Sequence, residues 1–384
     1  MRVVIVTSIH PDFDARIWKH ATSLAGAGHE VDLVCPWNVR DASVDRAIRF
    51  HPFSRVRRRA LRPVLIPARV IGALGPVLRR ADLVHFHDID ILPLMAMVSL
   101  VRPVVYDVHE NYPEEMLARD WIPKLLRRPL SFGVRHGQRA LGRIVHNLVL
   151  AVPSQEREFI GTGTNSIEVR NYASQGLLQE VRDDYETRAP TVVFTGSQYE
   201  ENGSLLLLEI ADVCRRNCPE LGFIAPDRFA SQRFRERFLG ERERRELEGV
   251  VRLVPNVPPQ RIMDVLNLGT IAIAPALRVP KQVMAIPTKL FEYMAAGLPM
   301  VGSDLPHQAD IIAGNDAGLL ARPEAPESFA DAVCALAKDR TLARQMGGRG
   351  QNAFRSRYCW ESQMPALLAF YEEIVKSWGC RRWS

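Results

Sequence analysis

The stretch IPTKLFEYMAAGLPMVGSD, Ile286–Asp304, carries the densest chemistry in the chain. Pro287 suits the start of a helix, because the N–H it lacks would there have no partner in any case. The N–H groups of Thr288 and Lys289 would then point out of the helix N-terminus, where the dipole favours an anion such as a diphosphate. Glu292 follows one turn later, placed to accept hydrogen bonds from paired hydroxyls such as those of a ribose. Gly297-Leu298-Pro299 closes the helix and feeds the next strand. An ordinary amphipathic helix with a surface Glu and Lys would have the same pattern, and the residues alone leave both readings open.

Other phosphate chemistry lacks its signatures. A dinucleotide dehydrogenase needs G-x-G-x-x-G directly after its first strand, but that turn here reads SIHPDFD. Gly26-Ala-Gly28 follows a helix, Gly347-Gly348-Arg349-Gly350 lies late in the chain before another helix, and there is no P-loop. Cys35, Cys214, Cys218, Cys334, Cys359 and Cys380 form no C-x2-C pair. Cys214 and Cys218 share one helical face without a matching pair, so no metal site is expected. Free thiols of this kind fit a reducing cytoplasm.

The elements that would position such a site alternate short β-branched runs with helical patterns, the mark of βαβ units and parallel sheets. Strands are expected at Val3–Thr7, Val31–Cys35, Leu83–Phe86, Val104–Val108, Leu148–Pro153 and Ile167–Val169, with helices at Ile17–Leu24 and near Leu130–Leu141. A polar, turn-rich stretch from Asn171 to Pro190 marks a domain boundary. A second series starts at Thr191–Thr195 and continues through Leu221–Ala225, Val251–Val254, Ile271–Ala274, Met300–Gly302 and Gly318–Leu320. Its helices are expected at Leu205–Arg216, Pro259–Asn267, Thr288–Ala296 and Ser328–Lys338, with a terminal amphipathic helix at Met364–Trp378. The expected fold class is α/β, with two doubly wound Rossmann-like domains facing each other across a cleft. Residues 1–171 form the N-terminal domain, 172–190 a linker, 191–363 the C-terminal domain, and 364–384 a helix crossing back. The length of 384 residues suits two domains of roughly 100–200 residues each. No run reaches the ~18 apolar residues of a membrane span.

At this point a resemblance becomes specific. PTKLFEYMAAGLPMVGSD is similar to the donor-binding helix of retaining glycosyltransferases of family 4, which have the GT-B fold. FDARIWKHATSLAGAGHEVDLVCP resembles the family's first strand-turn-helix-strand, VVYDVHENYPEE its fourth-strand segment and VVFTGS the start of its second domain. AGLLARPEAPESFADAV and RYCWESQMPALLAFYEEI resemble its closing segments, so the likeness covers nearly the whole chain. It implies transfer of a sugar from a nucleotide-diphosphate sugar, UDP- or GDP-linked, to an acceptor hydroxyl with retention and without a metal or separate cofactor. Glycan, glycolipid or glycosylated-metabolite biosynthesis would be the setting, with a small-molecule, polysaccharide or lipid-linked acceptor.

Carried over residue by residue, Glu292 would hold the ribose and Pro287–Lys289 would face the diphosphate, with Gly196, Ser197, Ile286 and Leu290 completing the donor site. His109 would line the sugar pocket near the leaving phosphate and, with Lys289 and Glu292, make up the catalytic set. Asp14, Arg16, Asp107, Glu110 and Asn111 would lie on the acceptor side. A helix N-cap at Asp12 or Asp14 is the alternative for the first loop. The acceptor hydroxyl would attack from the side the diphosphate leaves, through an oxocarbenium-like transition state, and the leaving phosphate would take the proton.

The chain departs from the family pattern at three positions. Met284 replaces a second glutamate. Gln198 and Asn202 stand roughly where the family places an Arg and a Lys that neutralise the diphosphate. A leaving diphosphate needs positive charge or aimed N–H donors, and Lys289 is the first substitute, followed by Arg278 and Lys281. A nucleotide-sugar epimerase on the same fold, and a non-catalytic nucleotide-sugar or partner-binding member, are the competing readings.

One segment falls outside this scheme. Residues 55–80 read RVRRRALRPVLIPARVIGALGPVLRR, with eight arginines and no acid. Near an anionic membrane each arginine could contribute ~1 kcal/mol, so peripheral contact with the inner face of the membrane by an otherwise cytoplasmic protein is one expectation. A solvated loop and core helix is the other. Pro63, Pro67 and Pro76 argue against one continuous amphipathic helix. Without interleaved aromatics or a known motif, nucleic acid is not an expected partner.

Overall fold

The structure, a computed structural model, describes residues 1–12, 14–37, 47–56, 58, 61–108, 112–118, 122–151, 155, 158–178, 183–185, 187–258 and 261–381. The chain divides into two compact units, Met1–Asn171 with Gln363–Ser384, and Tyr172–Ser362.

The first unit is built on seven parallel strands: β1 (Arg2–Val6), β2 (Glu30–Cys35), β3 (Ile48–Pro52), β4 (Leu83–Phe86), β5 (Val104–Val108), β6 (Asn147–Leu150) and β7 (Asn165–Glu168). Their order is β3-β2-β1-β4-β5-β6-β7, the doubly wound pattern whose direction reverses between β1 and β4. Val3, Val4, Ile5 and Val6 are all fully buried, as a strand covered on both faces requires. The helices are α1 (Ala15–Gly26), α2 (Arg62–Leu78), α3 (Leu92–Val98), α4 (Tyr112–Ala118) and α5 (Lys124–Val145).

The proline argument against a continuous helix fails at α2, which runs unbroken through Pro67 and Pro76. Pro63 sits in its first turn, where it costs nothing. Ile66, Val70, Leu74 and Val77 recur at helical spacing and are buried in one core layer with α3, α5 and the sheet. Four such side chains contribute about 1.5–3 kcal/mol each, enough to offset roughly 3 kcal/mol for each interior proline. Strand β3 was not expected, because IRFHP alternates too briefly to be noticed; it pairs in register with β2 from Ile48 to Pro52.

The second unit repeats the plan with six parallel strands: β8 (Thr191–Val193), β9 (Gly222–Pro226), β10 (Val251–Val254), β11 (Ile271–Ala274), β12 (Met300–Ser303) and β13 (Gly318–Ala321), ordered β10-β9-β8-β11-β12-β13. Its helices are α6 (Ser204–Asn217), α7 (Gln232–Arg244), α8 (Ile262–Leu266), α9 (Pro280–Met284), α10 (Lys289–Ala295), α11 (Pro306–Ile312), α12 (Pro326–Lys338) and α13 (Arg340–Ala353). One core layer packs α6 and α12 on one face of the sheet, and another packs α8 and α10 on the other. Gly203 opens α6 at φ +79°, with Pro275 O only 1.7 Å from where a Cβ would stand, so no other residue fits.

The stretch expected to be a linker, 172–190, belongs instead to the second unit. Its aromatic residues pack there: Tyr172 stands edge-on to Phe291 at 4.6 Å, and the buried Tyr185 donates its hydroxyl to Thr270 O at 2.7 Å. The final helix, α14 (Met364–Arg381), belongs to the first unit, where the Tyr371 hydroxyl meets His85 Nδ1 at 2.6 Å. No helix among the described residues is long and apolar enough to cross a membrane.

Candidate functional site

In the second unit, the loops at the carboxyl ends of β8, β9 and β10 and the segment that follows β11 enclose a cavity of about 380 Å³. This is the region where the strand order reverses, and where sheets of this kind take their ligands. Gly196, Ser197, Pro287, Thr288, Lys289 and Glu292 line it. Gly196 turns the chain after β8 at φ +94°, a conformation other residues rarely adopt. Ile286 and Leu290 do not line the cavity; Leu290 points into the core, one step round the helix from Lys289.

Lys289 is the first residue of α10, and its side chain is buried. Nζ donates to Asn202 Oδ1 at 2.8 Å and lies 4.1 Å from the centre of the Phe194 ring. Asn202 is oriented in turn by donating Nδ2 to Ser197 O at 2.8 Å. Burial lowers the Lys289 pKa to about 7, with Glu292 acting the other way. Burial likewise raises the Glu292 carboxyl above the ordinary range, opposed by Lys289 and by a hydrogen bond with Thr195. Each group is held where its charged form is disfavoured, so an incoming anion or hydroxyl pair has something to satisfy. Within α10, helical bonding begins with Leu290 N donating to Pro287 O at 3.1 Å. The buried Tyr293 couples this helix to the sheet by accepting from Thr195 N at 2.9 Å and donating to Ile273 O at 3.1 Å.

The three departures fall in different places. Asn202 is in the cavity wall as the acceptor for Lys289, so the ammonium comes from α10 rather than from position 202. Gln198 is buried, with Nε2 reaching Pro226 O at 3.4 Å, and does not line the cavity. Met284 is exposed on α9 and also outside it. Of the other substitute cations, Lys281 lines the cavity with Nζ 5.8 Å from the Tyr199 ring centre. Arg278 is turned away, donating to Asp304 O at 3.2 Å. Arg228, after β9, lines the cavity and was missed, as was Gln282, buried and bonded to the Tyr199 hydroxyl. No short motif contains these residues; only the sheet brings their loops together.

The expected acceptor-side residues occupy the first unit. Asp14 caps α1, accepting from Arg16 N at 2.9 Å and Ile17 N at 3.2 Å, and it also contacts His10 Nδ1 at 2.9 Å. The cap that was the alternative reading is therefore present. Arg16 and Asp107 are buried against each other, Nε to Oδ2 at 2.8 Å and Nη2 to Oδ1 at 2.9 Å. His20, His87 and His85 approach the same Oδ2 at 3.2, 3.3 and 3.4 Å. His109, Glu110 and Asn111 lie outside the described residues.

Ligand atoms of His20, His85 and Asp107 lie within 4.8 Å of one another, the spacing of a metal site that the sequence had not suggested. A cation there would face the Arg16 guanidinium, which already holds both Asp107 oxygens. The Asp107 carboxyl is kept well below the usual range because Arg16 and the three imidazoles outweigh burial. The chemistry is that of an ion-paired hydrogen-bond hub. At the first unit's own strand-order reversal, Asp88 accepts from Thr7 Oγ1 at 3.0 Å and Ser8 N at 2.6 Å, and His10 Nε2 lies 3.1 Å from it. Burial opposes the charge on His10, but the hydrogen bonds to Asp14 and Asp88 prevail and raise its pKa to about 10.

Two doubly wound parallel-sheet units are the building plan of the GT-B fold, and comparison with known proteins assigns this chain to the sugar-transfer enzymes that have it. Residues 15–161 match the family model "Glycosyltransferase Family 4" and residues 189–339 match "Glycosyl transferases group 1". The chain is 22% identical to the phosphatidyl-myo-inositol mannosyltransferase of Mycolicibacterium smegmatis over 400 residues, 97% of this chain and 94% of that protein. Its fold matches sucrose-phosphate synthase from Thermosynechococcus elongatus at TM-score 0.72, with 15% identity over 98% of this chain and 99% of that one. It also matches Anabaena HepE, solved in complex with UDP and glucose, at TM-score 0.69, with 14% identity over 99% of this chain and all of that one. This chain is a glycosyltransferase of family 4 with the GT-B fold.

Proposed function

We propose that the cavity of the second unit binds the nucleoside diphosphate of a sugar donor, and that the sugar passes to an acceptor hydroxyl with retention of configuration. The carrying observation is Lys289, a buried lysine with its pKa at about 7, held by Asn202 in the wall of the cavity. A diphosphate arriving there would draw Lys289 fully into its charged form and gain a desolvated cation aimed at the leaving group. Lys281 and Arg228 add positive charge along the same wall, and Glu292, one turn beyond Lys289, receives the ribose hydroxyls. The leaving phosphate takes the proton of the acceptor hydroxyl as it attacks from the same side. By the family resemblance, the roles of His109 at the transferred sugar and of Asp14, Glu110 and Asn111 toward the acceptor are part of this proposal. Arg16 and Asp107 act there through their buried pair, as supports.

The UDP bound in HepE favours a uridine donor, and the name of the mannosyltransferase favours a lipid-anchored acceptor. A lipid acceptor fits a cytoplasmic protein that touches the inner face of the membrane through residues 55–80. In support, Val64 and Ile71 on α2 are exposed, as are Arg79 and Arg80 at its end.

The test is thermal stabilisation by a panel of nucleoside diphosphates and nucleotide sugars, comparing the wild type with Glu292→Ala. A ligand at ~100 times its dissociation constant adds about 2.7 kcal/mol. Stabilisation by one nucleotide, lost in Glu292→Ala, is the expected result. No stabilisation by any of them in a folded sample would overturn the reading.

A further inference from the structure

Helix α5 carries several of its large apolar residues on its solvent side. Its inward face toward the first unit's sheet and neighbouring helices consists of Ser131, Gln138, Gly142 and Val145, mostly small or polar. Leu141 packs against the core, but most of the bulky apolar residues face out: Leu125 is 91% exposed and Phe132 64%, with Leu126, Leu130 and Ile144 also exposed. A single exposed leucine needs no explanation. Four large apolar side chains within eight residues are exposed over the outer side of one helix end, and exposed apolar surface gathered in one place marks contact surfaces.

The charge on the same helix says what it contacts. Its 22 residues contain Lys124, Arg127, Arg128, Arg135, Arg139 and Arg143 and no acid. Arg135 is paired to Glu114 at 3.2 Å and to Glu158 at 3.0 Å, and Arg127 and Arg139 donate to backbone carbonyls. Lys124, Arg128 and Arg143 are exposed beside the apolar residues. Helices α2 and α3 bury their inner residues in the same core layer as α5, so the three cover one face of the sheet. Of the fifteen exposed large hydrophobic residues among the described residues, eleven lie between Leu61 and Ile144, the span of this layer. A protein partner would have to supply an apolar surface with acids spread along three helices. An anionic bilayer offers both everywhere, with acyl chains for Leu125 and Phe132 and headgroup phosphates for the flanking cations.

We infer that the outer face of this helix layer, anchored by the N-terminal half of α5, is a docking surface for an anionic lipid bilayer. The inference rests on the reading that the first unit meets a membrane, but it moves the anchor from residues 55–80 to Leu125–Phe132. It is independent of the donor site.

The experiment is co-sedimentation of the full chain with vesicles of phosphatidylcholine alone, or of phosphatidylcholine with phosphatidylglycerol. Three double variants are compared with the wild type: Leu125→Ser with Phe132→Ser, Lys124→Gln with Arg128→Gln, and Arg79→Gln with Arg80→Gln. All six positions are exposed, and unchanged melting temperatures establish that the variants fold. The wild type should pellet with the anionic vesicles only, and the Leu125/Phe132 variant should bind at least tenfold more weakly. The Lys124/Arg128 variant should lose binding most at low salt, and Arg79/Arg80 should have the smallest effect. Wild-type binding by the Leu125/Phe132 variant, with a loss in the Arg79/Arg80 variant, would overturn the α5 anchor and leave the 55–80 contact standing. Absence of any wild-type sedimentation would overturn both. If light scattering finds a wild-type dimer that Leu125→Ser with Phe132→Ser splits, without vesicle binding, the face is a self-association surface and the inference fails.

Discussion

The two units share one strand order, yet the regions beyond their strand ends are filled in opposite ways. In the first unit charged groups there are paired with one another: Asp107 holds Arg16 with both oxygens, and Asp88 is met by Thr7, Ser8 and His10. In the second, the loops stand apart around a cavity, and a buried lysine has an asparagine for its partner instead of a carboxylate. Topology provides the location in both cases. What fills it decides which groups a ligand can satisfy, because a charge already paired with its counter-ion gains less from a ligand than one that is not.

That contrast breaks most readily at Asp107. Asp107→Ala leaves Arg16 buried without its counter-ion, and breaking such a pair costs about 3–5 kcal/mol; chemical denaturation should register a loss of this size. Lys289→Met should do the reverse, keeping or raising stability near neutral pH while lowering transfer by 10²–10³-fold, roughly 2.7–4 kcal/mol of transition-state stabilisation. Steady-state assays alongside denaturation separate the two, and a strongly destabilised Lys289→Met would erase the distinction.

Proton linkage sharpens the same comparison, since His10 and Lys289 shift in opposite directions. The His10 pKa rises from 6.5 to about 10 on folding, so its stabilisation is complete below pH 6.5 and lost as pH climbs toward 10. His10→Gln should therefore cost on the order of 1.5–3 kcal/mol below pH 6.5, a difference that fades by about pH 10. The Lys289 pKa falls from 10.5 to about 7, so the unfolded chain holds more protons between those values and stability rises with pH across them. Any advantage of Lys289→Met should be greatest below pH 7 and gone near 10.5. Denaturation curves at several pH values measure both.

The smallest expected effect concerns the ligand. If a diphosphate draws a proton onto Lys289, nucleotide affinity should weaken above pH 7 by up to about tenfold per pH unit, roughly 1.4 kcal/mol. Calorimetric titration of Lys289→Met should give a flat profile over the same range. A wild-type profile equally flat would remove Lys289 from the binding site.

Much of the second unit was legible in advance because its signals are local. Parallel strands such as Ile271–Ala274 and Val251–Val254 are short, mostly apolar runs between turns, and both have the expected bounds. The segment around Pro287–Glu292 keeps the proline, lysine and glutamate of its site within six residues, and all three line the cavity. Where the signal was weak or contrary, local reading missed. IRFHP is too brief for its alternation to be seen, and the prolines of α2 speak against a helix that only burial against the sheet sustains.

The sequence by itself determined the alternation of strands and helices through periodicity, and the family and the residues of α10 through the resemblance of its motifs, whose residues lie close together in the chain. The tertiary structure alone decided the rest. It brought His20, His85, His87 and Asp107 to one buried hub, turned Lys289 onto Asn202 from 87 positions away, and exposed Leu125 and Phe132. These outcomes depend on which loops the sheet order makes neighbours and on which helix face the sheet covers. Neither is a property of any short stretch of chain.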